Sequence, residues 1–340
     1  MTVAPYTKVL VTGGAGYIGS HTVRLLRKSG VEVVVVDDLS EGHVGALPTD
    51  VTLARIDLHN EAALLRCFLE TKPQAVLHFA ANCLVGESVA DPGKYYKNNV
   101  EASLVLLRCM RVAGCETIVF SSTAATYGEP VRVPIDESHP NNPINPYGMT
   151  KRMFELALAD HEVAHGLRWA ALRYFNAAGA AAAGDLGEDH EPETHLIPLV
   201  LFAAMGKRDA ITILGNDYPT SDGTCVRDYI HVEDLADAHW RALNYLRAGG
   251  KSGAMNLGTG EGYTVAQVVD LARKVTGKKI PARVGARRPG DPAVLVADGT
   301  KARTQLGWKP QSSDLERIVA SAWAWHSSHP NGYGDRRAHG

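Results

Sequence analysis

The run Gly13-Gly14-Ala15-Gly16-Tyr17-Ile18-Gly19 constrains the fold more than any other part of the chain. It follows an apolar stretch, Lys8–Thr12 (KVLVT), and opens a segment of helical period over Tyr17–Lys28. Glycines between a buried strand and a helix permit a tight turn. They also let the backbone approach a pyrophosphate, which then sits at the positive end of the helix dipole. The chain is therefore expected to begin with a βα unit built to hold a dinucleotide, with Gly13, Gly16, Tyr17, Ile18 and Gly19 at the cofactor. Asp37 ends the next apolar run, Glu32–Asp37, roughly 20 residues further on, where an acid can bind the adenosine ribose hydroxyls. Its neighbour Asp38 is also acidic. Two carboxylates repel a 2′-phosphate, so NAD is expected rather than NADP. Asp57 closes a third strand in the same way and can reach the adenine amino group.

Apolar runs then alternate with helix-period segments. Ala75–Ala80, Thr117–Ser121 and Trp169–Tyr174 read as further buried strands, and Asn99–Arg111 as an amphipathic helix. Such alternation implies right-handed crossovers and an α/β fold with a doubly wound parallel sheet, Rossmann-like, covered on both faces. We expect this unit to span residues 1–175, with a segment near 230–260 returning to it. A smaller C-terminal α/β unit for substrate is expected over 176–330. Ala177–Gly187 reads as an alanine- and glycine-rich connection followed by the polar segment Glu188–His195. Gly215–Gly223 (GNDYPTSDG) is too long for a simple turn and reads as a functional loop. The stretch from Ser327 reads as frayed, with 331–340 as a flexible tail.

Net charge is −2, so no global basic field draws the chain to nucleic acid or an anionic membrane. No apolar run is long enough to span a bilayer, and the opening MTVAPYTKVLVTGG does not read as a signal peptide. The five cysteines are odd in number and form no C-x-x-C pair. They read as reduced thiols in a cytoplasmic protein, and no metal site is expected.

Ser121-Ser122-Thr123 follows the strand ending at Phe120, and Tyr147 and Lys151 are four residues apart, on one face of a helix that Pro146 starts. Oxidising a hydroxyl requires a base for its proton while hydride leaves the carbon. A free tyrosine has a pKa near ~10, and ionisation at neutral pH needs about 4 kcal/mol. One positive charge at about 4 Å in a partly buried site supplies that amount. Lys151, assisted by a nicotinamide cation, makes Tyr147 a usable base, and Thr123 can hydrogen-bond the substrate oxygen.

The runs VTGGAGYIGSH, VGES, NNV, SSTAATYGE, NPYGMTK, RYFNAAGA, GNDYPTSDGT, VRDYIHVEDLA and NLGTGEGYTV stand in one order from Val9 to about Pro330. In this the chain resembles the UDP-glucose 4-epimerases of the extended short-chain dehydrogenase/reductase family. The resemblance implies a bound NAD that oxidises C4 of a UDP-hexose, rotation of the 4-keto sugar, and return of hydride to its opposite face. It implies that Leu58, Phe79, Ala80, Ala81, Asn98, Ser121, Tyr174 and Phe175 line the cofactor pocket. Asn176, His195 and Leu196 would face the sugar, Arg227 and Arg288 would pair with the diphosphate, and Asp291 would hold the uridine ribose. Leu295 would bound the room beside sugar C2, where a tyrosine would exclude an N-acetyl group, so UDP-N-acetylglucosamine stays open as a further substrate. A homodimer through Tyr95–Val112 and Tyr147–His165 is implied as well.

Three positions depart from the family pattern. Thr123 stands for a serine, Cys83 for a lysine that contacts NAD, and His195 for a substrate-contacting asparagine. A 4,6-dehydratase would need an Asp-Glu pair where this chain has Ala124 and Ala125. A non-catalytic NAD sensor would tend to lose the Thr123, Tyr147 and Lys151 set. A UDP-pentose 4-epimerase differs only in the size of the sugar pocket, and the sequence leaves it open.

Overall fold

Six valines in the runs KVLVT and EVVVVD explain the core, because each strand is apolar on both sides and must be covered on both. In the computed structural model, which describes residues 6–288 and 291–335, β1 (Lys8–Thr12), β2 (Glu32–Asp37), β3 (Thr52–Arg55), β4 (Ala75–His78), β5 (Thr117–Thr123) and β6 (Arg168–Tyr174) form a parallel sheet. A late strand, Gly253–Leu257, completes it beside β6, giving the order of a doubly wound Rossmann-like fold: β3-β2-β1-β4-β5-β6 and then the late strand. The direction of winding reverses between β1 and β4, and the crevice at the carboxyl ends of such a pair is where ligands bind.

Alternate residues of each strand go to opposite faces. Val9, Val11, Val33 and Val35 pack with Val23 and Leu26 of α1 (Tyr17–Lys28) and with Leu235, Leu243 and Leu246 of a long later helix, Val232–Arg247. Leu10, Val34 and Val36 pack on the other face with Leu64 and Phe68 of α2 (Glu61–Thr71). The same face holds Leu106 and Met110 of Ala102–Ala113, and Phe154 and Leu158 of Pro146–His165. Burial of both faces is why the strands read as unbroken apolar runs.

Two short helices follow β4, α3 (Val85–Ala90) and α4 (Pro92–Tyr95), and they lead through a π-helical turn, Tyr96–Glu101, into α5 (Ala102–Ala113). Here the structure departs from the regular helix read over Asn99–Arg111. The wider turn accompanies a buried Asn99, whose side chain accepts from the Asn82 amide at 2.9 Å and donates to the Asn82 carbonyl at 3.0 Å and to Thr150 Oγ1 at 3.1 Å. Such bulges recur where a helix must present a group to a site. Then comes α6 (Pro146–His165), capped by Asn145, whose side chain accepts from the Gly148 amide at 2.8 Å.

The remaining elements form a second group. β7 (Asn176–Ala178) is followed by α7 (Leu196–Ala204), β8 (Ile211–Leu214), β9 (Val226–Arg227) and β10 (Tyr229–His231). α8 (Val232–Arg247) and β11 (Gly253–Leu257) return to the large sheet. β12 (Tyr263–Thr264), α9 (Val265–Thr276), β13 (Ala282–Gly285), β14 (Val294–Leu295), α10 (Thr300–Gln305) and α11 (Leu315–Ser328) follow. Three small sheets pair β7 with β10, β8 with β13, and β9 with both β12 and β14. Val200, Leu201, Val268, Ile318 and Val319 make a separate core from α7, α9 and α11.

The stretch from Ser327 is not frayed as expected, at least as far as Asp335. Helix α11 runs through Ser328, and the Tyr333 ring packs against Trp325 and against His43, with ring centres 4.8 Å and 4.9 Å away. Polar composition hid an anchor made by one aromatic ring. Residues 336–340 of the expected tail lie outside the described residues. Among the described residues no helix is long and apolar enough to cross a membrane.

Candidate active site

The glycine loop is set by close approach. Gly13 has φ +67°, and a Cβ on it would lie 2.5 Å from the Ala80 nitrogen. A Cβ on Gly19 would lie 2.1 Å from the Gly13 carbonyl oxygen. Gly16 differs, because its added Cβ would meet nothing nearer than the Gly13 oxygen at 3.5 Å. No side chain caps α1, which starts directly after Gly16. Space and free helix-end amides therefore coincide, which is what a pyrophosphate requires. Tyr17 turns away from this face, its hydroxyl donating to the Gly179 carbonyl at 2.6 Å, while Ile18 packs on the core.

Asp37 is buried at the end of β2, where its two oxygens accept from the Ala15 amide and the Leu39 amide, each at 2.9 Å. Burial pushes its carboxyl above the usual range despite those two bonds. Asp38 is exposed and accepts from the Ser40 amide at 2.9 Å, and Asp57 accepts from the His59 amide at 2.9 Å beside a buried Leu58. Phe79 and Ala80 follow β4, their amides donating to the Thr12 carbonyl at 2.9 Å and 3.2 Å. With half-buried Ala81 they form the floor next to Gly13. Asn98 donates to Asn99 Oδ1 at 3.2 Å.

Thr123 is the last residue of β5 and pairs with Tyr174, the last of β6. Its hydroxyl accepts from the Ala125 amide at 3.1 Å. Ser121 Oγ hydrogen-bonds the Tyr174 hydroxyl. From α6, Lys151 is 4% exposed and its ammonium donates to the Ser121 carbonyl at 2.8 Å, over the Phe120 ring. The same ammonium stands 5.9 Å from the Tyr147 ring centre, and the Thr123 side chain hydrogen-bonds the Tyr147 phenol, which joins the three catalytic candidates at one strand end. Burial lowers the Lys151 ammonium to about 8. Burial first, then the nearby Cys83 thiol, holds the Tyr147 phenol above its ordinary value. From the protein's own groups alone, desolvation thus outweighs the lysine, and the phenolate needs a further positive charge beside it.

The substrate candidates also converge. Arg227 on β9 pairs with Asp291, and Arg288 reaches the other oxygen of Asp291 at 3.1 Å. Two guanidinium groups share one carboxylate, leaving a positive excess suited to a diphosphate. Asn176 donates to the Asp228 carbonyl at 3.0 Å, and Leu295 lies across from Arg227 in the register of β14 and β9. Leu295 and Phe175 both pack on the small cluster Ala124, Tyr127 and Ile135, so they adjoin the chain just past Thr123. Leu196 begins α7.

His195 is the exception. Its Nδ1 lies 2.6 Å from Glu188 Oε1, so that edge of the ring faces a carboxylate cluster rather than an open pocket. The expectation of no metal site rested on cysteines and passed over this segment. Glu188, His190, Glu193 and His195 present ligand atoms within 4.8 Å of one another, the one such group among the described residues. A buried network under β5 leaves no trace in the sequence. Glu155 accepts from Ser122 Oγ at 2.7 Å and from Arg173 Nε at 2.8 Å, with both charged side chains almost fully buried. A charged pair spaced 18 residues apart on a helix and a strand leaves no periodic signal.

Comparison with known proteins gives concordant results. The model of the NAD dependent epimerase/dehydratase family matches residues 9–258. A UDP-glucose 4-epimerase of Halalkalibacterium halodurans is 53% identical over 96% of this chain and 97% of its own length. A crystal structure of UDP-glucose 4-epimerase from Brucella ovis in complex with NAD superposes with a TM-score of 0.91 at 48% identity, covering 93% of this chain and 97% of that one. The Bifidobacterium longum UDP-glucose 4-epimerase in complex with NAD+ and UDP gives 0.91 at 40% identity, covering 96% and 100%.

Proposed function

The chain belongs to the NAD dependent epimerase/dehydratase family, and from that premise we propose that it is a UDP-glucose 4-epimerase interconverting UDP-galactose and UDP-glucose. The observation that carries this reading is the meeting of Thr123, Tyr147 and Lys151 at the end of β5, two strands from the glycine loop in the sheet. Relatives at about half identity over nearly the whole chain carry that name, and related structures hold NAD.

NAD, which Gly13–Gly19 and Asp37 would hold, would supply a reversible hydride acceptor for sugar C4. The chain's own residues manage the proton and the position. Tyr147 Oη takes the proton of the C4 hydroxyl and later returns it, and the Lys151 ammonium favours the phenolate. Thr123 Oγ1 holds the sugar oxygen in both its alcohol and ketone forms. Arg227 and Arg288, oriented by Asp291, grip the diphosphate, so the nucleotide stays fixed while the hexose turns. A base-and-acid elimination step has no residues to run it, since Ala124 and Ala125 follow Thr123. Leucine at position 295 leaves room beside sugar C2, and UDP-N-acetylglucosamine is a further substrate in this reading. Absence of any turnover of it at high enzyme concentration would remove that part.

We assign residues 1–175 with the returning segment near 230–260 to cofactor binding and 176–330 to the nucleotide sugar, in a cytoplasmic homodimer. The dimer reading is supported by apolar side chains left exposed along α6 (Met149, Met153, Leu156 and Val163) and by Tyr96 and Val112 near α5. A monomer by light scattering at working concentration would overturn it. For the reaction, purified protein is mixed with UDP-galactose without added NAD and followed by NMR. Conversion to UDP-glucose is expected; no conversion with or without added NAD refutes the assignment.

A further inference from the structure

We propose that Glu188, His190, Glu193 and His195 form a structural site for a divalent transition ion of the Zn2+ class, stapling the segment that leads into α7. The four residues stand two, three and two positions apart on one stretch of chain, and their ligand atoms lie within 4.8 Å of one another. His190 Nδ1 is 3.2 Å from Glu188 Oε1 and 3.7 Å from Glu193 Oε2, and His195 Nδ1 is 2.6 Å from Glu188 Oε1. Ligands at about 2.0–2.2 Å from a tetrahedral ion stand roughly 3.3–3.6 Å from one another. The 3.2 Å and 3.7 Å contacts of His190 lie just either side of that spacing, and the His195–Glu188 contact, at 2.6 Å, is tighter.

A second observation points into the cluster. The Glu188 and Glu193 side chains are 3% and 4% exposed, yet Glu188 Oε1, Glu193 Oε2 and His190 Nδ1 have no aligned hydrogen-bond partner. Buried polar atoms are rarely left so. The other oxygen of Glu193 is held by the amides of Thr194 and His195, each at 2.7 Å, which leaves Oε2 for the centre. The Trp325 indole donates to the Glu188 carbonyl at 3.0 Å and fixes the backbone there. Two buried carboxylates bring two negative charges, which one divalent cation balances.

Two imidazole nitrogens and two carboxylate oxygens suit Zn2+ and its neighbours; Ca2+ and Mg2+ prefer an all-oxygen shell. Four protein ligands close the coordination sphere, as in structural rather than catalytic sites. The site would tie the segment before Leu196 against α1, since the His190 ring stands edge-on to Tyr17 at 6.2 Å.

The test uses the full chain with any affinity tag removed, stripped with EDTA and desalted. It is titrated with Co2+ alone and followed by visible absorption, then challenged with Zn2+. Intense tetrahedral Co2+ bands saturating at one equivalent per chain, and bleached by Zn2+, are expected. Affinity should fall by roughly 100-fold or more in both His190→Ala and Glu193→Gln, with folding of each checked by circular dichroism. It should be unchanged in His161→Ala/His165→Ala, which removes the other neighbouring histidine pair, on α6. Absence of tetrahedral bands, or bands that survive both cluster variants, overturns the proposal and leaves the four residues as two histidine–carboxylate pairs.

Discussion

Replacing Lys151 by methionine should stabilise the protein while stopping its chemistry. The ammonium is 4% exposed, and burial brings it from its ordinary 10.5 to about 8, with Cys83 and Glu155 offsetting part of the effect. A lowering of that size corresponds to ~3 kcal/mol of cost for carrying the charge in the folded protein. Methionine fills the same volume without it. The variant loses the hydrogen bond to the Ser121 carbonyl, worth about 1 kcal/mol. A net gain of about 2 kcal/mol remains. With an unfolding entropy of ~2.1 cal/mol/K per residue, a chain of this length rises by about 3 °C in Tm. The pH dependence fixes the cause. Between about 8 and 10.5 the unfolded chain holds a proton on Lys151 that the folded chain has shed, so the parent's stability from this group rises with pH through that window. The advantage of Lys151→Met should thus be full near pH 7 and shrink as pH approaches about 10. Scanning fluorimetry of both proteins, stripped of cofactor, at several pH values reads the difference directly and cancels every other titrating group. A variant less stable than its parent near pH 7, or a gap indifferent to pH, would refute the reasoning.

Tyr147→Phe should lower turnover by about 10³-fold or more while UDP affinity changes by less than about twofold, read by NMR turnover and calorimetry. Gly16→Ala should fold normally, because its Cβ has room at 3.5 Å from the Gly13 oxygen. It should weaken NAD by roughly 10-fold by taking space beside the helix-end amides. Gly19→Ala, with a Cβ at 2.1 Å from the same oxygen, should instead lower stability by about 1–3 kcal/mol. Glu155→Ala strands the buried Arg173 and should cost about 3–5 kcal/mol, much of it recovered by the double variant Glu155→Met/Arg173→Met; chemical denaturation distinguishes the two.

The parts of the fold that were legible in the sequence are those whose physics is local. β1, β2 and α1 were read at their observed limits because apolar runs and a glycine turn follow one another without interruption. The proximity of Tyr147 and Lys151, the proposed catalytic pair, was legible for the same reason, since one helical turn brings them to one face. The Asn99 turn was not legible, as its cause is a side chain reaching Asn82 and Thr150 through space. Nor was the buried Glu155–Arg173 pair, whose partners lie on separate elements. Tyr333 misled for the opposite reason: a polar stretch hid one ring that finds Trp325 only in the folded chain. In Glu188–His195 the spacing of acids and histidines was visible, but its meaning depends on a loop bringing four side chains to one point.

The packing of Tyr333 and Asp335 carries a consequence for the order in which the protein matures. His43, a few residues past Asp37, hydrogen-bonds Asp335 at 2.6 Å and stacks on Tyr333. The Tyr333 amide is held by Asp189 at 3.0 Å. The loop bordering the adenosine end of the cofactor crevice is therefore finished by residues some 290 positions downstream of His43. A nascent chain can close the first βαβ units early, but this loop keeps one side open until Asp335 has left the ribosome. Nascent chains arrested short of Tyr333 should fold the large sheet's first strands yet hold the dinucleotide loosely, which would make cofactor capture one of the last events of biogenesis.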